Sequence, residues 1–424
     1  MQASEPRVQA PAPRPPRERR ALSHVGGAAT IEGDRALGER LAAAVDVPTS
    51  AEAEALARAH AHGFHSYPAR MHPLTARRLI EGLSRPGDLV LDPFCGSGTV
   101  LVEARLAGRA AIGVDANPLA VRLSRLKITP MRERERARLV EAARGIAALA
   151  DERRKGKAGP TRRYGPPDMD MFQPHVLLEL DSLRSGLDAL PDLPTREALE
   201  LVLSAILTKL SRRTSDTSGH EIERRLAGGF PARLFVRKTE ELAARLAEIE
   251  VALAAPMPDR SPAAVVFEGD ARELAGVPER RVALAVTSPP YPGNYDYLEH
   301  HAARLRWLRL PPGRFDRAEI GARRRLDPLG AREGARRWRE ELSSALMALH
   351  RVLVPGGGAV LLLADSVVAA APIYALDVLR AIAPSSGFVV EAAATQARPH
   401  FHAGTSRAFA KRARGEHAVL LRSR

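Results

Sequence analysis

Short apolar runs typical of β-strands alternate with helical stretches over most of this sequence. The strand-like runs cover residues 89–91, 111–114, 264–267, 282–286, 359–363, 388–390 and 418–421. Helical patterns follow most of them, including residues 100–106, 120–126 and 342–353. Strands that alternate with helices form βαβ units, in which helices cover both faces of a mostly parallel sheet. The alternation therefore predicts an α/β fold.

A long insertion, residues 129–256, separates the second and third predicted strands. Its periodicity is helical at residues 136–153, 198–212 and 239–254. A structureless loop of this length is not expected inside a compact domain, so the insertion is predicted to be a helical subdomain. At the amino end, residues 1–20 combine Pro and Arg without apolar periodicity, which predicts a disordered basic arm.

Composition excludes several classes of protein. The sequence has one cysteine, Cys95, which excludes an intramolecular disulfide framework and a Cys-rich zinc module. No apolar run is long enough to span a bilayer and no secretory signal is visible, so we expect a cytoplasmic protein without a membrane partner. The 64 basic and 50 acidic residues leave a net charge of +14, which favours nucleic acid as a partner.

Several histidines are close together in the sequence, which raises the question of metal binding. They are His62, His65, His72, His300 and His301. A metal site needs convergent ligands supported by carboxylate or thiolate groups, and this spacing does not indicate such a set. We therefore predict no metal site.

A glycine-rich turn, VLDPFCGSGT (residues 90–99), follows an apolar strand that ends at Asp92. Gly96 and Gly98 allow the backbone to approach a ligand, whose polar groups meet free N–H groups at the start of a helix. Asp115 ends the next strand about 20 residues later, where an acid can bind both hydroxyls of a ribose. A third glycine and a phosphate-loop lysine are both missing, so a nucleoside cofactor is favoured over NAD or ATP.

A diproline loop, TSPPYPGNYDY (residues 287–297), follows the apolar strand VALAV. The two prolines remove backbone donors and keep the chain extended. Their carbonyls and the Ser288 hydroxyl can then accept hydrogen bonds beside the flat ring of Tyr291, which suits a planar heterocycle with an exocyclic amine. The alternative is a proline-rich turn with a core tyrosine. Tyr295 and Tyr297 are expected to pack or to lie at the rim.

DPFCGSGT together with TSPPY resembles the amino-group DNA methyltransferases, which methylate cytosine N4 or adenine N6 with S-adenosylmethionine. Four further segments are similar to elements of that family: FHSYPARMHPLTARRLI (64–80), FEGDAREL (267–274), RVLVPGGGAVLLLADS (351–366) and GEHAVLLR (415–422). The long helical insertion departs from the family pattern.

The resemblance implies a Rossmann-like class I methyltransferase fold, with a seven-stranded, mostly parallel sheet whose last strand is antiparallel. It also suggests how the chain is divided. The predicted regions are a disordered basic arm (1–30), the cofactor half of the methyltransferase domain (31–130), a helical insertion with a candidate role in target recognition (131–257) and the catalytic half (258–424).

The resemblance further implies which residues form the site. The catalytic loop falls on Ser288, Pro289, Pro290 and Tyr291. The implied cofactor-binding residues are Tyr67, Asp92, Phe94, Cys95, Gly96, Gly98, Thr99, Asp115 and Asp270, with Asp270 near the adenine. Serine before the prolines, preceded by Thr287, is the form usual in cytosine-N4 enzymes, so cytosine N4 is favoured over adenine N6.

The implied partner is double-stranded DNA with the target base flipped out, as for a methyltransferase of a restriction–modification system. Arg323, Arg324 and Arg325 follow the catalytic loop and are the best candidates for phosphate contact. The oligomeric state and the recognition sequence stay open.

Two alternatives also stay open. An RNA (tRNA) guanine-N2 methyltransferase would share DPFCGSG and a proline–proline–tyrosine loop, with RNA as the partner. That family usually has Asp before the prolines and an RNA-binding domain ahead of the catalytic one, for which about 60 residues before Phe64 are too few. An inactive relative that only binds nucleic acid predicts decay at the loop positions, which are intact.

Overall fold

A β-sheet of eight strands forms the centre of the molecule. The computed structural model describes residues 28–213, 225–254, 263–398 and 403–424, so residues 1–27 of the predicted basic arm lie outside the described residues. The strands within the described residues are β1 (Thr30–Gly33), β2 (Leu89–Asp92), β3 (Ala110–Asp115), β4 (Ala264–Glu268), β5 (Val282–Thr287), β6 (Leu353–Ala364), β7 (Ser366–Val368), β8 (Ala371–Ile373), β9 (Phe388–Ala397) and β10 (Gly415–Ser423). Strands β7 and β8 pair only with each other, and the remaining strands form the central sheet.

The strand order of the central sheet is β1-β9-β10-β6-β5-β2-β3-β4. The pairs that join β4, β3, β2, β5 and β6 are all parallel. Strand β10 runs antiparallel to both of its neighbours, β6 and β9. This topology confirms the predicted Rossmann-like methyltransferase fold, with its mostly parallel sheet and antiparallel last strand.

Strand β1 is an addition to the predicted seven-stranded sheet. It pairs antiparallel with β9 at the sheet edge, with Thr30 opposite Thr395, so Thr30 belongs to the sheet and not to the basic arm. All residues of β1 are exposed. A strand without a buried face lacks the apolar alternation by which strands are recognised in a sequence, so only its partner reveals it.

Helices cover both faces of the sheet. Within the described residues they are α1 (Arg35–Val45), α2 (Ala51–Arg58), α3 (Pro73–Leu83), α4 (Thr99–Leu106), α5 (Pro118–Ile128), α6 (Glu133–Lys155), α7 (Pro166–Met171), α8 (Pro174–Asp188), α9 (Leu193–Leu210), α10 (Phe230–Ala254), α11 (Tyr297–Leu308), α12 (Gly313–Ala318), α13 (Arg323–Leu326), α14 (Gly330–Val352), α15 (Ala375–Ile382) and α16 (Ala403–Ala408), with 3-10 turns at His60–Gly63, Asp327–Leu329 and Pro384–Ser386. None of these helices is both long and apolar enough to cross a bilayer.

The hydrophobic core has one layer on each face of the sheet. Val90 and Leu91 are consecutive residues of β2, yet they belong to different buried clusters, and so do Leu284 and Ala285 of β5. Successive side chains of a strand point to opposite faces, so each strand contributes to both layers. The sheet is therefore buried on both sides, as a parallel sheet requires.

Helices α6 to α10 form the predicted helical insertion between β3 and β4. Apolar side chains of the insertion, such as Leu139 and Phe235, belong to the same buried cluster as Val90 and Leu101. The insertion therefore packs on one face of the sheet through a continuous core. The boundaries given above for the four regions stay predictions.

Candidate active site

The glycine-rich turn and the diproline loop are neighbours at one edge of the sheet. Strands β2 and β5 pair in parallel, with Val90 opposite Leu284, so the loops that follow both strands emerge on the same side. The Thr287 hydroxyl donates a hydrogen bond to Asp92 Oδ1 across a distance of 2.6 Å. The two segments that carry the predicted chemistry therefore meet, although they are far apart in the sequence.

The glycines of the turn occupy backbone conformations that other residues rarely adopt. Gly96 has φ +50° and Gly98 has φ +81°. A Cβ atom on Gly98 would lie 2.8 Å from Ser124 Oγ, and one on Gly96 would lie 3.3 Å from the Tyr67 ring. The side-chain-free backbone leaves a narrow space under Tyr67, because glycine has no Cβ to fill it.

Two carboxyl groups, those of Asp92 and Asp115, border this space. Asp115 Oδ2 accepts a hydrogen bond from Gly96 N–H at 2.8 Å, and its Oδ1 accepts one from Asn117 N–H at the same distance. Burial raises the pKa of Asp115 to about 6 despite these hydrogen bonds. Burial likewise raises the pKa of Asp92 to about 7, against the effect of the Thr287 hydrogen bond. The surroundings therefore bring the pKa values of both carboxyl groups close to neutral pH.

Tyr67 forms the roof over the glycine turn. Its ring stacks on the ring of His301, with centroids 4.8 Å apart. Its hydroxyl accepts a hydrogen bond from Asn117 Nδ2 at 3.2 Å. Tyr67 is buried. The contacts with His301 and Asn117 fix its ring from two sides.

Three adjoining cavities open at this edge of the sheet, and Ser288 and Ala69 line all of them. The two on the glycine-turn side are lined by most of the predicted cofactor residues, namely Tyr67, Asp92, Phe94, Cys95, Gly96, Thr99 and Asp115. The third, about 280 Å³ in volume, lies on the other side of Ser288 and is lined by Pro289 and Tyr291. Pro290 faces the glycine-turn side. Ser288 therefore stands where a cofactor cavity and a second, substrate-sized cavity meet.

The cavities on the glycine-turn side fit S-adenosylmethionine. Asp115 lines one of these cavities, and its carboxyl group can accept hydrogen bonds from a ribose diol. The apolar side chains of Phe94, Phe315 and Ile320 line the same cavity and suit a planar base. Burial raises the pKa of the Cys95 thiol well above its usual range, so this cysteine is a wall residue and not a nucleophile.

Two predicted cofactor residues do not reach the cavity walls. Gly98 lies under the turn and begins helix α4, against Ser124. Asp270 is held by its neighbour Arg272, whose Nε donates to Asp270 Oδ1 at 2.9 Å. The residues on either side of it, Gly269 and Ala271, line the cavity instead. The adenine contact assigned to Asp270 stays a prediction.

Sequence reasoning missed several residues of the site. Tyr297, a residue expected to pack or to lie at the rim, lines both the cofactor cavity and the larger cavity. Asn117 caps helix α5 by accepting from Leu119 N–H, and it also holds Tyr67. The Asn-Pro pair at a helix start was a usable signal for the cap. No local signal pointed to two further residues that line the larger cavity, namely Arg398, which directly follows β9, and Glu416 of β10.

Three of the clustered histidines, His62, His65 and His72, have hydrogen-bond partners within the protein. His62 Nε2 lies 2.8 Å from Glu103 Oε1, and His65 Nε2 lies 2.9 Å from Ser204 Oγ. His72 Nδ1 accepts from Leu74 N–H at the start of α3. Burial lowers the pKa of His62 to about 4. Within the described part of the chain, no three His, Cys, Asp or Glu residues are arranged to hold a metal ion.

The arginines predicted to contact phosphate are engaged in ion pairs. Arg323 Nε lies 3.3 Å from Asp296, and Arg324 Nη1 lies 2.6 Å from Glu319. Arg325 Nη2 lies 3.4 Å from Glu341. These contacts fasten α13 to the diproline loop and to α14, which gives the three arginines a structural role.

Comparison with known proteins agrees with this geometry. Residues 48–125, which include Tyr67, the glycine turn and Asp115, match the N6/N4 methyltransferase family described as DNA methylase. The Type II methyltransferase M.MvaI of Kocuria varians is 27% identical over 173 residues, covering 38% of this chain and 36% of that protein. The Type II methyltransferase M.MjaII of Methanocaldococcus jannaschii is 33% identical over 69 residues, 16% of this chain and 13% of that protein.

A tRNA (guanine(10)-N2)-dimethyltransferase of Methanothermobacter thermautotrophicus is 46% identical over 61 residues, which cover 14% of this chain and 18% of that protein. The chain thus spans 13% to 36% of the length of these relatives. Residues 48–125, in the cofactor half, are thus similar to the N6/N4 amino-methyltransferases, and this similarity supports S-adenosylmethionine as the cofactor of the chain.

Proposed function

We propose that this chain is a site-specific DNA methyltransferase that moves a methyl group from S-adenosylmethionine to an exocyclic base amine, with cytosine N4 favoured over adenine N6. The observation that carries the proposal is the position of Ser288, which lines both the cofactor cavities and the larger cavity of about 280 Å³. A group bound in one cavity would meet a group bound in the other at this residue. Proximity of this kind is a major source of rate in group transfer.

The cofactor supplies an electrophilic methyl group on a sulfonium centre. The chain's own residues bind and orient it. We assign the ribose to Asp115 and the methionine part to the turn formed by Asp92, Cys95, Gly96 and Gly98, under the roof of Tyr67. The support is that Asp115 and Asp92 line two adjoining cavities that share Tyr67 and Gly96 in their walls.

The amine of cytosine is poorly nucleophilic because its lone pair is conjugated with the ring. Acceptors at Ser288 Oγ and the Pro289 carbonyl would hold both N–H bonds and favour a pyramidal nitrogen, whose lone pair is then available. Tyr291 lines the same cavity and offers a face for the base. The base would reach it by rotating out of the DNA stack, at a cost of a few kcal/mol.

Cytosine is favoured over adenine because the first residue of the loop is Ser288 and the preceding Thr287 is not available to the substrate. The Thr287 hydroxyl already donates to Asp92, and Thr287 is buried. Serine at this position, preceded by threonine, is the form usual in the cytosine-N4 enzymes that this loop resembles.

Double-stranded DNA is the proposed partner, and the helical insertion is the proposed region of target recognition. The net charge of +14 supports a polyanionic partner. The loop that follows α6 presents the exposed cations Lys157 and Arg163 on the insertion. Cations placed in this way can contact phosphates.

A guanine-N2 methyltransferase acting on tRNA is the second candidate. The match at 46% identity to the tRNA (guanine(10)-N2)-dimethyltransferase favours it, although that match covers only 14% of the chain. Both candidates place an exocyclic amine at Ser288, so the nucleic acid and the base distinguish them.

The test is expression in a bacterium that lacks DNA methylation, followed by mass spectrometry of nucleosides from DNA and from tRNA, with Ser288→Ala as the control. N4-methylcytosine in DNA is the expected product, absent from the control. N6-methyladenine would move the target base to adenine, and N2-methylguanine confined to tRNA would support the second candidate. No modified nucleoside in either polymer would contradict the proposal.

A further inference from the structure

A row of hydroxyl groups leads from Ser288 to a carboxylate on the last strand. Ser288 Oγ lies 3.4 Å from Tyr291 Oη, and Tyr291 Oη lies 3.4 Å from Glu416 Oε1. All three residues line the larger cavity. The row therefore joins the residue assigned to the target amine with an acidic group that lies in β10, outside the diproline loop.

The carboxylate at the end determines which way the hydroxyl protons point. An ionised carboxylate can only accept hydrogen bonds, whereas a hydroxyl has one proton and two lone pairs. If Tyr291 donates to Glu416 and Ser288 donates to Tyr291, no proton of Ser288 is left to point at the substrate. The lone pairs of Ser288 then face the cavity, where an amine needs acceptors.

Glu416 is held in place and still reaches water. Arg398, the residue after β9, pairs with it, and the Arg398 side chain is 4% exposed while that of Glu416 is 22% exposed. The other charged or titratable side chains around this cavity are Arg70, His72, Tyr291, Tyr295 and Tyr297. Glu416 is the only carboxylate among the residues that line the cavity within the described ranges. A proton delivered to it can leave to the solvent.

We propose that Glu416 is a positioning residue and the final proton acceptor of a relay through Tyr291 and Ser288, an inference that rests on the function proposed above. When the base nitrogen is methylated, its N–H bond breaks and the bonding pair returns to nitrogen as a lone pair. The proton passes to Ser288 Oγ, the Ser288 proton passes to Tyr291 Oη, and the Tyr291 proton passes to Glu416. Glu416 ends as a neutral acid and later releases the proton to water.

The surroundings of Tyr291 require these transfers to occur together. Burial, followed by the nearby Glu416, raises the pKa of the Tyr291 phenol far above its ordinary value. A free phenolate is therefore not a resting state, and Tyr291 passes one proton on as it receives another. The spacings of 3.4 Å are long for O–H···O hydrogen bonds, and such contacts shorten when substrate binds.

The test compares Glu416→Gln, Tyr291→Phe and the double variant with the wild-type chain, using DNA that carries the target base. Glutamine keeps the size of the side chain but is not an effective proton acceptor, and phenylalanine keeps the ring but removes the relay hydroxyl. We expect each single variant to lower kcat by about 10- to 100-fold. We expect the double variant to be no slower than the slower single variant, because both break the same relay.

Three further readouts separate the relay from a structural role. Affinity for S-adenosylmethionine, and affinity for DNA measured without cofactor, should stay within about twofold of wild type. The acidic limb of the pH profile of kcat and the solvent isotope effect should both shrink in Glu416→Gln. The matched control is Glu391→Gln, since Glu391 pairs with Arg422 on the same sheet but does not line the cavity.

The possible failures are distinguishable. A wild-type chain that methylates DNA together with a Glu416→Gln variant of nearly equal kcat and unchanged pH profile would overturn the relay alone. Additive losses in the double variant would also overturn it. A wild-type chain that binds S-adenosylmethionine but methylates no nucleic acid would overturn the proposed function, and the relay with it.

Discussion

The cofactor half of the sheet and the helical insertion contribute to the same site in different ways. The cofactor half supplies most of its residues from one continuous stretch of chain, in which β2, the glycine turn, α4 and β3 follow one another from Leu89 to Asp115. Within the described ranges, the insertion adds no residue to the walls of the three cavities, and instead it contacts the segment that carries Tyr67.

Contacts from the insertion reach this segment at several points. Ser204 of α9 lies 2.9 Å from His65, and Thr208 Oγ1 accepts from Arg304 at 3.1 Å. Arg304 in turn donates to Ser66 O at 3.0 Å. Lys238 of α10 lies over the Phe64 ring, 5.2 Å from its centroid.

The comparison shows that residues assigned to cofactor binding form a local sequence motif, whereas the residues that hold them in place are scattered along the sequence. The glycine turn is a local motif because its residues must be adjacent to shape one loop. The supports of Tyr67 come from helices far along the chain, and any buried polar side chain of the right length could serve. The insertion, predicted as a candidate recognition region, therefore also has a structural task at the cofactor site.

The largest expected effect belongs to Ser288, where the two cavities meet. Ser288→Ala removes the acceptor for the target amine and should lower methyl transfer by at least about 100-fold. Affinity for S-adenosylmethionine, measured by calorimetry, should stay nearly unchanged. Ser344→Ala, on the exposed face of α14, is the control. Equal losses of transfer and of cofactor affinity would remove the role assigned to Ser288.

The variant Asp115→Ala tests whether Asp115 of the cofactor half binds the cofactor. Asp115→Ala removes the carboxyl oxygens assigned to the ribose and also the acceptors of Gly96 and Asn117 N–H. Hydrogen bonds to charged groups contribute about 1.5–3 kcal/mol, so cofactor affinity should fall by about 10- to 100-fold. Asp88→Ala, at the opposite end of β2, should bind normally. Unchanged affinity of Asp115→Ala in calorimetry would contradict the ribose assignment.

The pH dependence of cofactor binding follows from the raised pKa values of Asp92, about 7, and Asp115, about 6. The ionised carboxylates are the binding forms, so affinity should fall as pH decreases, approaching about tenfold per pH unit below each pKa. Stability without cofactor should show the opposite trend. A raised folded-state pKa contributes stability below about pH 4 that is lost as pH rises through about 6 and 7.

Calorimetric titrations and thermal unfolding between pH 5.5 and 8.0 would measure both trends. Asp115→Asn should flatten the part of the affinity profile near pH 6 and leave the part near pH 7. An affinity profile that is flat over the whole interval would show that neither carboxyl group titrates where its burial places it.

The smallest effect is expected at the insertion. Ser204→Ala leaves the buried His65 ring nitrogen without this partner, which should cost about 1–3 kcal/mol of folding free energy. The segment that carries Tyr67 should loosen, and cofactor affinity should fall a few-fold while kcat at saturating cofactor stays the same. Thermal unfolding and calorimetry measure the two effects. Full stability with full affinity would show that the insertion does not support this segment.

The amino-acid pattern alone was sufficient to predict the α/β fold and the helical insertion, and to select the candidate residues of the two loops. Apolar periodicity marks buried strands and helices, and a loop motif is visible because its residues are adjacent. Asp92, Gly96, Asp115, Ser288 and Tyr291 could be chosen on that basis.

Tertiary structure decided the features that depend on partners distant in the chain. The exposed strand β1 exists through its pairing with β9, which lies more than 350 residues later in the chain. Glu416 and Arg398 enter the site because the last strands of the sheet lie beside the diproline loop. Such residues carry no local signal, since their role arises from distance in space and not from spacing in the sequence.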